Sequence, residues 1–178
     1  IHPRNAGNIL WGQGTIGPCT PLAVMECIKA ADIDLYGKEA VIIGHSRVVG
    51  KPLALLLLKE YATVTLCHIA TAERHLLKSH VQRAEVLIVA AGKAGLIKGD
   101  WIKKGAVVID VGINRLKGKI VGDVDFKGAL KRAAYLTPVP GGVGPLTVVM
   151  LMRNVVTQWK QQAEAGALRA QRRRGEYL

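Results

Sequence analysis

The sequence predicts an α/β fold in which helices cover a doubly wound, mostly parallel sheet. Three observations carry this prediction. Short runs of Val, Ile, Leu and Ala alternate with helical patterns, glycines follow several of these runs, and only 4% of the residues are aromatic. Branched aliphatic residues must therefore build the core, as they do in parallel sheets that are buried on both faces. A chain of 178 residues with 49% apolar and 21% charged residues has the size and composition of one globular domain.

Each element of this fold has its own signal. Five apolar runs predict buried strands at residues 40–43, 63–67, 85–90, 107–111 and 135–139. Helical patterns follow residues 20–31, 51–61, 72–83, 127–134 and 146–164, with Thr20 and Asp125 as candidate caps. Residues 113–124 contain a Gly turn at 117–119, which predicts a hairpin or a long functional loop. The arrangement is Rossmann-like, and its ligands should bind beyond the carboxyl ends of the strands.

The two ends of the chain differ from its middle. Residues 1–17 have four glycines and no apolar period, so we expect an irregular lead-in left from a junction with a missing amino-terminal domain. Residues 18–165 are the predicted domain. Residues 166–178 are rich in arginine and predict a frayed, basic tail.

Charge and cysteine content limit the partners. Lys and Arg exceed Asp and Glu by 25 − 13 = 12, which favours anionic partners such as phosphates, polyglutamate tails or nucleic acid. Cys19, Cys27 and Cys67 have no metal-type spacing, so we expect no metal site and a reducing, cytoplasmic compartment. The apolar stretches are far shorter than the roughly 20 residues of a membrane span, so we expect no membrane partner.

The turn after the first strand is the strongest local signal for a ligand. Gly44 can let the chain leave the strand, Gly50 can allow close approach of a ligand or the sheet, and Ser46 adds a hydroxyl. The free N–H groups of the following helix favour a phosphate. A tight strand-to-helix turn without a ligand explains the two glycines about equally well.

Longer motifs make a more specific case. They are PCTP at 18–21, GHSRVVGKP at 44–52, AAGKAGLIKGDWIKKGAVVIDVGIN at 90–114, GDVDF at 122–126 and TPVPGGVGPLTVVMLMRN at 137–154. In their order and spacing the chain resembles the carboxyl-terminal, NAD(P)-binding part of the methylenetetrahydrofolate dehydrogenase/cyclohydrolase family, also called FolD. The amino-terminal substrate domain of that family has no counterpart in this sequence.

The resemblance implies roles for individual residues. One group would bind the dinucleotide, with Ile113 on the nicotinamide side: Gly44, His45, Ser46, Val49, Gly50, Ile69 and Ile113. A second group would form the wall between cofactor and folate, where Thr147 could offer a hydroxyl: Pro140, Gly141, Gly142 and Thr147.

Two departures from the family pattern matter. Many NADP-using relatives have Arg at the position of His45, and some have Ser or Arg at the position of Ile69. Ile69 cannot hydrogen-bond, and histidines are mostly neutral at pH 7, so of NAD and NADP we expect NAD to be used at least as well. The family's Tyr-x-x-x-Lys pair, Gln and Asp are absent, so we expect no catalytic residue here. Lys51 is better explained as a surface charge, and Asp110 as a hydrogen-bonding partner at a strand end.

The function implied for the intact protein is oxidation of 5,10-methylene-tetrahydrofolate to the 5,10-methenyl form with NAD(P), then hydrolysis to 10-formyl-tetrahydrofolate, in a homodimer that binds tetrahydrofolate derivatives. This chain would supply cofactor binding. An alternative is a dinucleotide-binding module without turnover. A nucleic-acid binder is favoured only by the net charge of +12 and the run 172–174; because no nucleic-acid motif occurs, we expect no such partner.

Overall fold

The computed structural model of the chain describes residues 2–12 and 16–173, with side chains up to residue 166. The helices are α1 (Pro3–Leu10), α2 (Cys19–Ala30), α3 (Gly50–Lys59), α4 (Ile69–Glu73), α5 (Leu77–Arg83), α6 (Phe126–Ala129) and α7 (Val143–Arg173). The strands are β1 (Glu39–Ile43), β2 (Thr63–Cys67), β3 (Val86–Val89), β4 (Val107–Asp110), β5 (Asn114–Leu116), β6 (Lys119–Val121) and β7 (Tyr135–Leu136). A 3₁₀ turn covers Gly99–Trp101.

The main sheet has five parallel strands in the order β2-β1-β3-β4-β7. The chain therefore winds outward from β1 to β2, returns to the other side of β1, and continues outward through β3 and β4. This is the doubly wound topology that the sequence predicts, and the order reverses between β1 and β3. That reversal point is where open α/β sheets bind their ligands.

Two apolar layers sandwich the sheet. On one face, Ile42, Ile88 and Ile109 pack in a cluster with residues of α2, α3 and α7. On the other face, Val41, Leu87 and Val108 pack in a cluster with α5 and α6. Successive strand residues point to opposite faces, and because both faces are covered, β3 is apolar at all four positions.

The antiparallel hairpin of β5 and β6 lies outside the main sheet. Its turn residues Lys117 and Gly118 have φ values of 50° and 78°, as expected for the left-handed turns of tight hairpins. Of the two possibilities left open for residues 113–124, the structure shows the hairpin.

Besides the helix predicted over 127–134, which is only the short α6 at Phe126–Ala129, four sequence predictions are wrong in detail. Residues 1–17 are not irregular throughout, because α1 forms at 3–10: the His2 side chain accepts a hydrogen bond from Arg4 N–H, and Pro3 suits the first turn. The helix expected over 72–83 is instead α4 and α5, because His75 adopts a φ of 57° and ends the first of them. The helical pattern over 72–83 did not indicate this break, because the break depends on the backbone angle of one residue.

The other two differences concern the end of the chain. The fifth strand stops at Leu136 rather than 139, because Pro138 has no N–H to donate to the sheet. Helix α7 begins at Val143 and continues to Arg173, so most of the predicted frayed tail is helical; residues 174–178 of that prediction lie outside the described part. Within residues 2–12 and 16–173, no helix is long and apolar enough to cross a membrane.

Candidate cofactor site

The glycine turn lies at the reversal point of the sheet. Gly44 follows β1 directly, and Ala90 and Ala91 follow the neighbouring strand β3. The turn ends where α3 begins at Gly50. The predicted residues of this turn therefore surround the crevice in which a doubly wound sheet binds its ligand.

Close backbone packing explains both glycines. Gly44 has a φ of 120°, and a Cβ atom there would overlap the carbonyl oxygen of Ala90. A Cβ atom at Gly50 would overlap the carbonyl oxygen of Gly44. Glycine is thus required at both positions by the contact of the turn with itself and with β3, whether or not a ligand also approaches.

Ser46 stabilises the turn through two hydrogen bonds. Its hydroxyl oxygen accepts a hydrogen bond from Val49 N–H at 3.0 Å, and its carbonyl accepts one from Lys51 N–H at 3.0 Å. The hydroxyl hydrogen is not used in the bond to Val49, so Ser46 can still donate to a ligand. These bonds fix the start of α3, whose first turn contains Pro52.

One cleft, of about 360 Å³, lies beside the start of the turn; we call it the switch-point cleft. The carboxyl ends of β1, β2 and β3 and the first turns beyond them line it. His45 and His68 face each other here with ring centroids 5.2 Å apart. Ile69 is 73% exposed at its edge, and Lys93 adds a positive charge.

A second cleft, of about 510 Å³, lies beyond the ends of β4 and β7; we call it the proline-loop cleft. Ile113 is 68% exposed on its wall. The remaining predicted residues that line it are Val49, Pro140, Gly141, Gly142 and Thr147. The Thr147 hydroxyl donates to the carbonyl of Val143 at 3.1 Å, which leaves its oxygen available as an acceptor.

The proline loop between β7 and α7 has a defined backbone. The Val139–Pro140 peptide bond is cis, and Gly141 has a φ of 104°. A Cβ atom at Gly142 would lie 2.5 Å from the carbonyl oxygen of Pro138. Thr137 anchors the loop to the sheet, because its hydroxyl accepts a hydrogen bond from Asp110 N–H at 2.8 Å. Gly141 is needed for its backbone angle and Gly142 for lack of space.

Two buried carboxylates hold the backbone between the clefts. Asp110 accepts hydrogen bonds from the N–H groups of Gly112, Asp123 and Val124 at 2.9, 3.1 and 2.9 Å. Asp123, fully buried, accepts three more, from Ala91 N–H, Gly92 N–H and the Asn114 side chain: Oδ2 takes the first two at 2.7 and 2.8 Å, and Oδ1 takes the third at 2.8 Å. Asp110 is therefore the strand-end hydrogen-bonding partner that the sequence indicates.

Asp123 is the residue that sequence reasoning missed. Asp123 is the first aspartate of the GDVDF motif, but the sequence does not show that its side chain contacts the loop after β3. Through Asn114 it ties the hairpin to that loop, and Ile113 precedes Asn114 directly. The position of Ile113 thus depends on a side chain that touches neither cleft.

Burial sets the ionisation of the groups nearby. Burial raises the pKa of Asp110, and the three backbone N–H groups that it accepts from oppose this rise. Burial also raises the pKa of the Cys67 thiol, at the end of β2, with a smaller opposing effect of Arg83. Both cysteine thiols that are fully buried, Cys27 and Cys67, stay protonated near neutral pH. The described residues contain no group of three or more His, Cys, Asp or Glu side chains that could hold a metal ion.

The structure brings the predicted residues into two neighbouring groups, except Gly50, which is buried and lines neither cleft. Gly44, His45, Ser46 and Ile69 belong to the switch-point cleft, and Val49 with the remaining lining residues belongs to the proline-loop cleft. The turn from Gly44 to Gly50 connects the two. A glycine turn at the reversal point of a doubly wound sheet, with a cleft on either side, is the arrangement of a dinucleotide-binding domain.

Comparison with known proteins gives the family. The family model described as "Tetrahydrofolate dehydrogenase/cyclohydrolase, NAD(P)-binding domain" matches residues 18–163. The chain belongs to the tetrahydrofolate dehydrogenase/cyclohydrolase family and carries its NAD(P)-binding domain. Both the resemblance and the Rossmann-like fold predicted from the sequence are thereby confirmed.

Individual relatives agree. The bifunctional protein FolD of Bacillus licheniformis is 55% identical over 162 residues, which make up 90% of this chain and 56% of that protein. The crystal structure of the bifunctional enzyme FolD from Campylobacter jejuni has a TM-score of 0.85 and 51% identity, over 90% of this chain and 57% of that one.

A Trypanosoma brucei FolD, complexed with NADP cofactor and inhibitor, has a TM-score of 0.85 and 43% identity, over 91% and 57% of the two chains. The chain thus spans a little over half the length of the relatives it matches.

Proposed function

We propose that this chain is the cofactor-binding part of a protein that oxidises 5,10-methylene-tetrahydrofolate with NAD(P) and hydrolyses the methenyl product to 10-formyl-tetrahydrofolate. The observation that carries the proposal is the glycine turn at the reversal point of the sheet, with a cleft on each side. Family membership supports the reaction, because relatives that carry this domain are bifunctional FolD proteins.

The residues fit a dinucleotide. The Ser46 hydroxyl and the N–H groups at the start of α3 would bind the pyrophosphate. The switch-point cleft, with Ile69 at its edge, would take the adenosine part, and Ile113 would contact the nicotinamide side. When bound, the dinucleotide would supply the ring that accepts a hydride from the folate.

The proline loop would separate the two reactants. Pro140, Gly141 and Gly142 line the proline-loop cleft, so their backbone would lie between nicotinamide and folate. Gly141 and Gly142 have no side chain, which would allow a flat ring to approach the loop. Thr147 would accept a hydrogen bond from the ligand, since its hydrogen is donated to Val143.

Among the described residues that line the proline-loop cleft, where the folate would lie, Asp110 is the one with an ionisable side chain. Asp110 lines the proline-loop cleft, but its oxygens accept three backbone N–H bonds and it is buried. We therefore infer that the acid and base groups come from the rest of the protein, and that this chain alone binds dinucleotide without turnover. The predicted domain limits, 18–165, and the homodimer belong to the same proposal.

The residues of the switch-point cleft support a proposal about which cofactor is used. Ile69 offers no hydrogen bond to a 2′-phosphate, and His45 lacks the permanent charge of the arginine that the family resemblance implies for many NADP-using members at this position. We infer that NAD is bound at least as well as NADP near pH 7.5.

The test compares Gly50→Ala with Gly166→Ala in this 178-residue chain. Calorimetric titration with NAD should show binding for the unchanged chain and for Gly166→Ala, whose Cβ would meet open space in helix α7. Gly50→Ala should weaken binding at least tenfold, because the turn must move to admit the Cβ atom. Reduction of NAD with tetrahydrofolate and formaldehyde should stay at background for all three.

Two results would contradict the proposal. If Gly50→Ala bound NAD as well as Gly166→Ala does while remaining folded by circular dichroism, the turn would not be the dinucleotide site. If the chain alone reduced NAD above background, a residue within it would supply the base.

A further inference from the structure

The hairpin of β5 and β6 has one face that packs towards the domain. On this face the Asn114 side chain donates a hydrogen bond to Asp123. Leu116 and Val121, which belong to the same face, line a small groove. Because side chains alternate along a strand, the other residues of the hairpin strands lie on the opposite face.

The opposite face borders the proline-loop cleft. Ile120 lines that cleft, and Arg115 is paired directly opposite Ile120. Directly opposite side chains of an antiparallel pair lie on the same face of the ribbon. Ile113, which also lines the cleft, precedes Arg115 by two residues. The cleft-facing side of the hairpin therefore carries a guanidinium group next to its two isoleucines.

This guanidinium group has no partner within the part of the chain that the structure describes. Arg115 is exposed, and its side chain makes no hydrogen bond or ion pair there. The surrounding ribbon is basic, because residues 113–122 contain Arg115, Lys117 and Lys119 and no acidic residue. Lys117 and Gly118 form the tight turn, so three cations lie within one short hairpin. Such a surface favours a ligand with several negative charges.

The proline-loop cleft itself favours an uncharged ring. Most of its lining residues are aliphatic residues, prolines and glycines. A ligand that fills this cleft and reaches the hairpin would combine a ring with a chain of carboxylates. Folates have this form, because a p-aminobenzoyl ring joins their pteridine to one or more glutamates. A guanidinium group suits the carboxylate end, since it can donate two parallel N–H bonds to one carboxylate.

We propose that the β5–β6 hairpin binds the glutamate tail of the folate, with Arg115 on the carboxylates of the first glutamate and Lys117 and Lys119 on those of further glutamates. The inference rests on the proposed function, which places the folate in the proline-loop cleft. It names the substrate class as folates with several γ-linked glutamates. Arg115 is the specificity-determining residue on the cleft side.

The experiment compares 5-formyl-tetrahydrofolate with one and with five glutamates. Their dissociation constants are measured by calorimetry with this chain saturated with NAD. In 50 mM salt we expect the five-glutamate form to bind about tenfold more tightly, because each exposed ion pair contributes little and several must act together. In 500 mM salt the ratio should fall to about twofold, since exposed charges are then screened.

Each variant has its own expected result. Arg115→Gln should weaken both forms about fivefold, and Arg115→Lys should recover part of that loss because it restores the charge without the planar fork. The double variant Lys117→Gln, Lys119→Gln should leave the one-glutamate form unchanged and reduce the ratio to about twofold. Lys104→Gln is the matched control: it removes an exposed cation ahead of β4, at the end of the sheet opposite the clefts, and should change neither constant. None of these side chains lines either cleft, so NAD should bind equally to all variants.

The outcomes separate this inference from the proposed function. Failure of the unchanged chain to bind NAD would contradict the proposed function. If NAD binds but the two folate forms have equal constants, or neither form binds, the hairpin is not the tail site and the inference is overturned. The same conclusion follows if Arg115→Gln and the double lysine variant both keep the full tenfold ratio and the original affinities. An equal loss in Lys104→Gln would assign the preference to the net charge of the chain instead of the hairpin.

Discussion

At the scale of single residues, Asp123 joins two segments of the chain although it lines neither cleft. One buried carboxylate accepts hydrogen bonds from the loop after β3 with one oxygen and from the hairpin with the other. Asn114, its partner in the hairpin, follows Ile113 in the chain. The side chain that would touch the nicotinamide is thus positioned by a residue that touches no ligand.

Replacing Asp123 with alanine should destabilise the chain strongly. Three donors would lose a charged acceptor, and a hydrogen bond to a charged group contributes about 1.5–3 kcal/mol; because Ala91 and Gly92 are exposed and Asn114 is half-buried, water can replace part of this, and we expect the free energy of unfolding to fall by about 3 kcal/mol. Urea unfolding followed by circular dichroism measures this. Asp125→Ala is the control, because Asp125 is exposed and caps only the short helix α6; its cost should be about 1 kcal/mol. Equal losses for the two variants would contradict the assigned role.

The glycines and the histidines differ in how far the sequence predicts them. The positive φ at Gly44 and the close contact at Gly50 follow from a strand-to-helix turn, which local sequence patterns indicate well. The contact of His45 with His68 depends on the register between β1 and β2. Because no local pattern encodes that register, the sequence showed His45 as a departure from the family and did not show its partner.

At the scale of elements, Glu85 joins the starts of three strands. Its carboxylate accepts hydrogen bonds from Glu39 N–H at 3.1 Å and from Lys38 Nζ at 3.2 Å, and Lys103 Nζ lies 4.0 Å away. Glu39 begins β1, Glu85 precedes β3, and Lys103 lies ahead of β4. This end of the sheet, opposite the clefts, is therefore held by charge as well as by backbone pairing.

The pH dependence of stability follows from this contact. The hydrogen bond from Glu39 N–H lowers the pKa of Glu85, and the bond and charges of Lys38 and Lys103 lower it further, against a rise from burial. The unfolded chain then binds more protons than the native one as the pH falls below the ordinary range of Glu, so the stabilisation is present at pH 7 and is lost on acidification.

We expect Glu85→Gln to lower the free energy of unfolding by about 1 kcal/mol at pH 7, since the pair is partly exposed to solvent. The difference from the unchanged chain should shrink as the pH falls towards 3. Urea unfolding at the two pH values tests this, with Glu73→Gln as control: Glu73 is exposed and the structure describes no ion pair for it. A loss that persists undiminished at pH 3 would show that packing, and not charge, is responsible.

Element boundaries show where sequence patterns reach their limit. The strand over 63–67 was predicted to the residue and the strand at 107 to within one, because continuous apolar runs bounded by polar residues are typical of buried parallel strands. The fifth strand was predicted three residues too long. Its last apolar residues belong to the proline loop, where the contact of Thr137 with Asp110 takes over from sheet pairing.

At the scale of the whole molecule, helix α7 extends well beyond the contact it needs. Its 31 residues make a rod about 46 Å long at 1.5 Å per residue. Val143 and Met150 are buried against the domain. Apolar residues also continue on the opposite face, where they are exposed: Val148, Leu151, Met152, Val155, Val156 and Trp159. A helix that is apolar on both faces is expected to have contacts on both, and this chain spans a little over half the length of the relatives it matches.

The positions of the tryptophans allow their fluorescence to distinguish binding of NAD from a contact on the exposed face of α7. Trp11 and Trp159 are 78% and 66% exposed, the third tryptophan, Trp101, is half-buried, and among the described residues none of the three lines either cleft. The emission maximum should therefore stay in place when NAD binds to the chain. In a protein that joins this chain to the further part found in its relatives, the maximum should shift to shorter wavelength, and Trp159→Phe should remove most of that shift. An equally large shift on adding NAD to the chain alone would mean that α7 moves when the cofactor cleft fills.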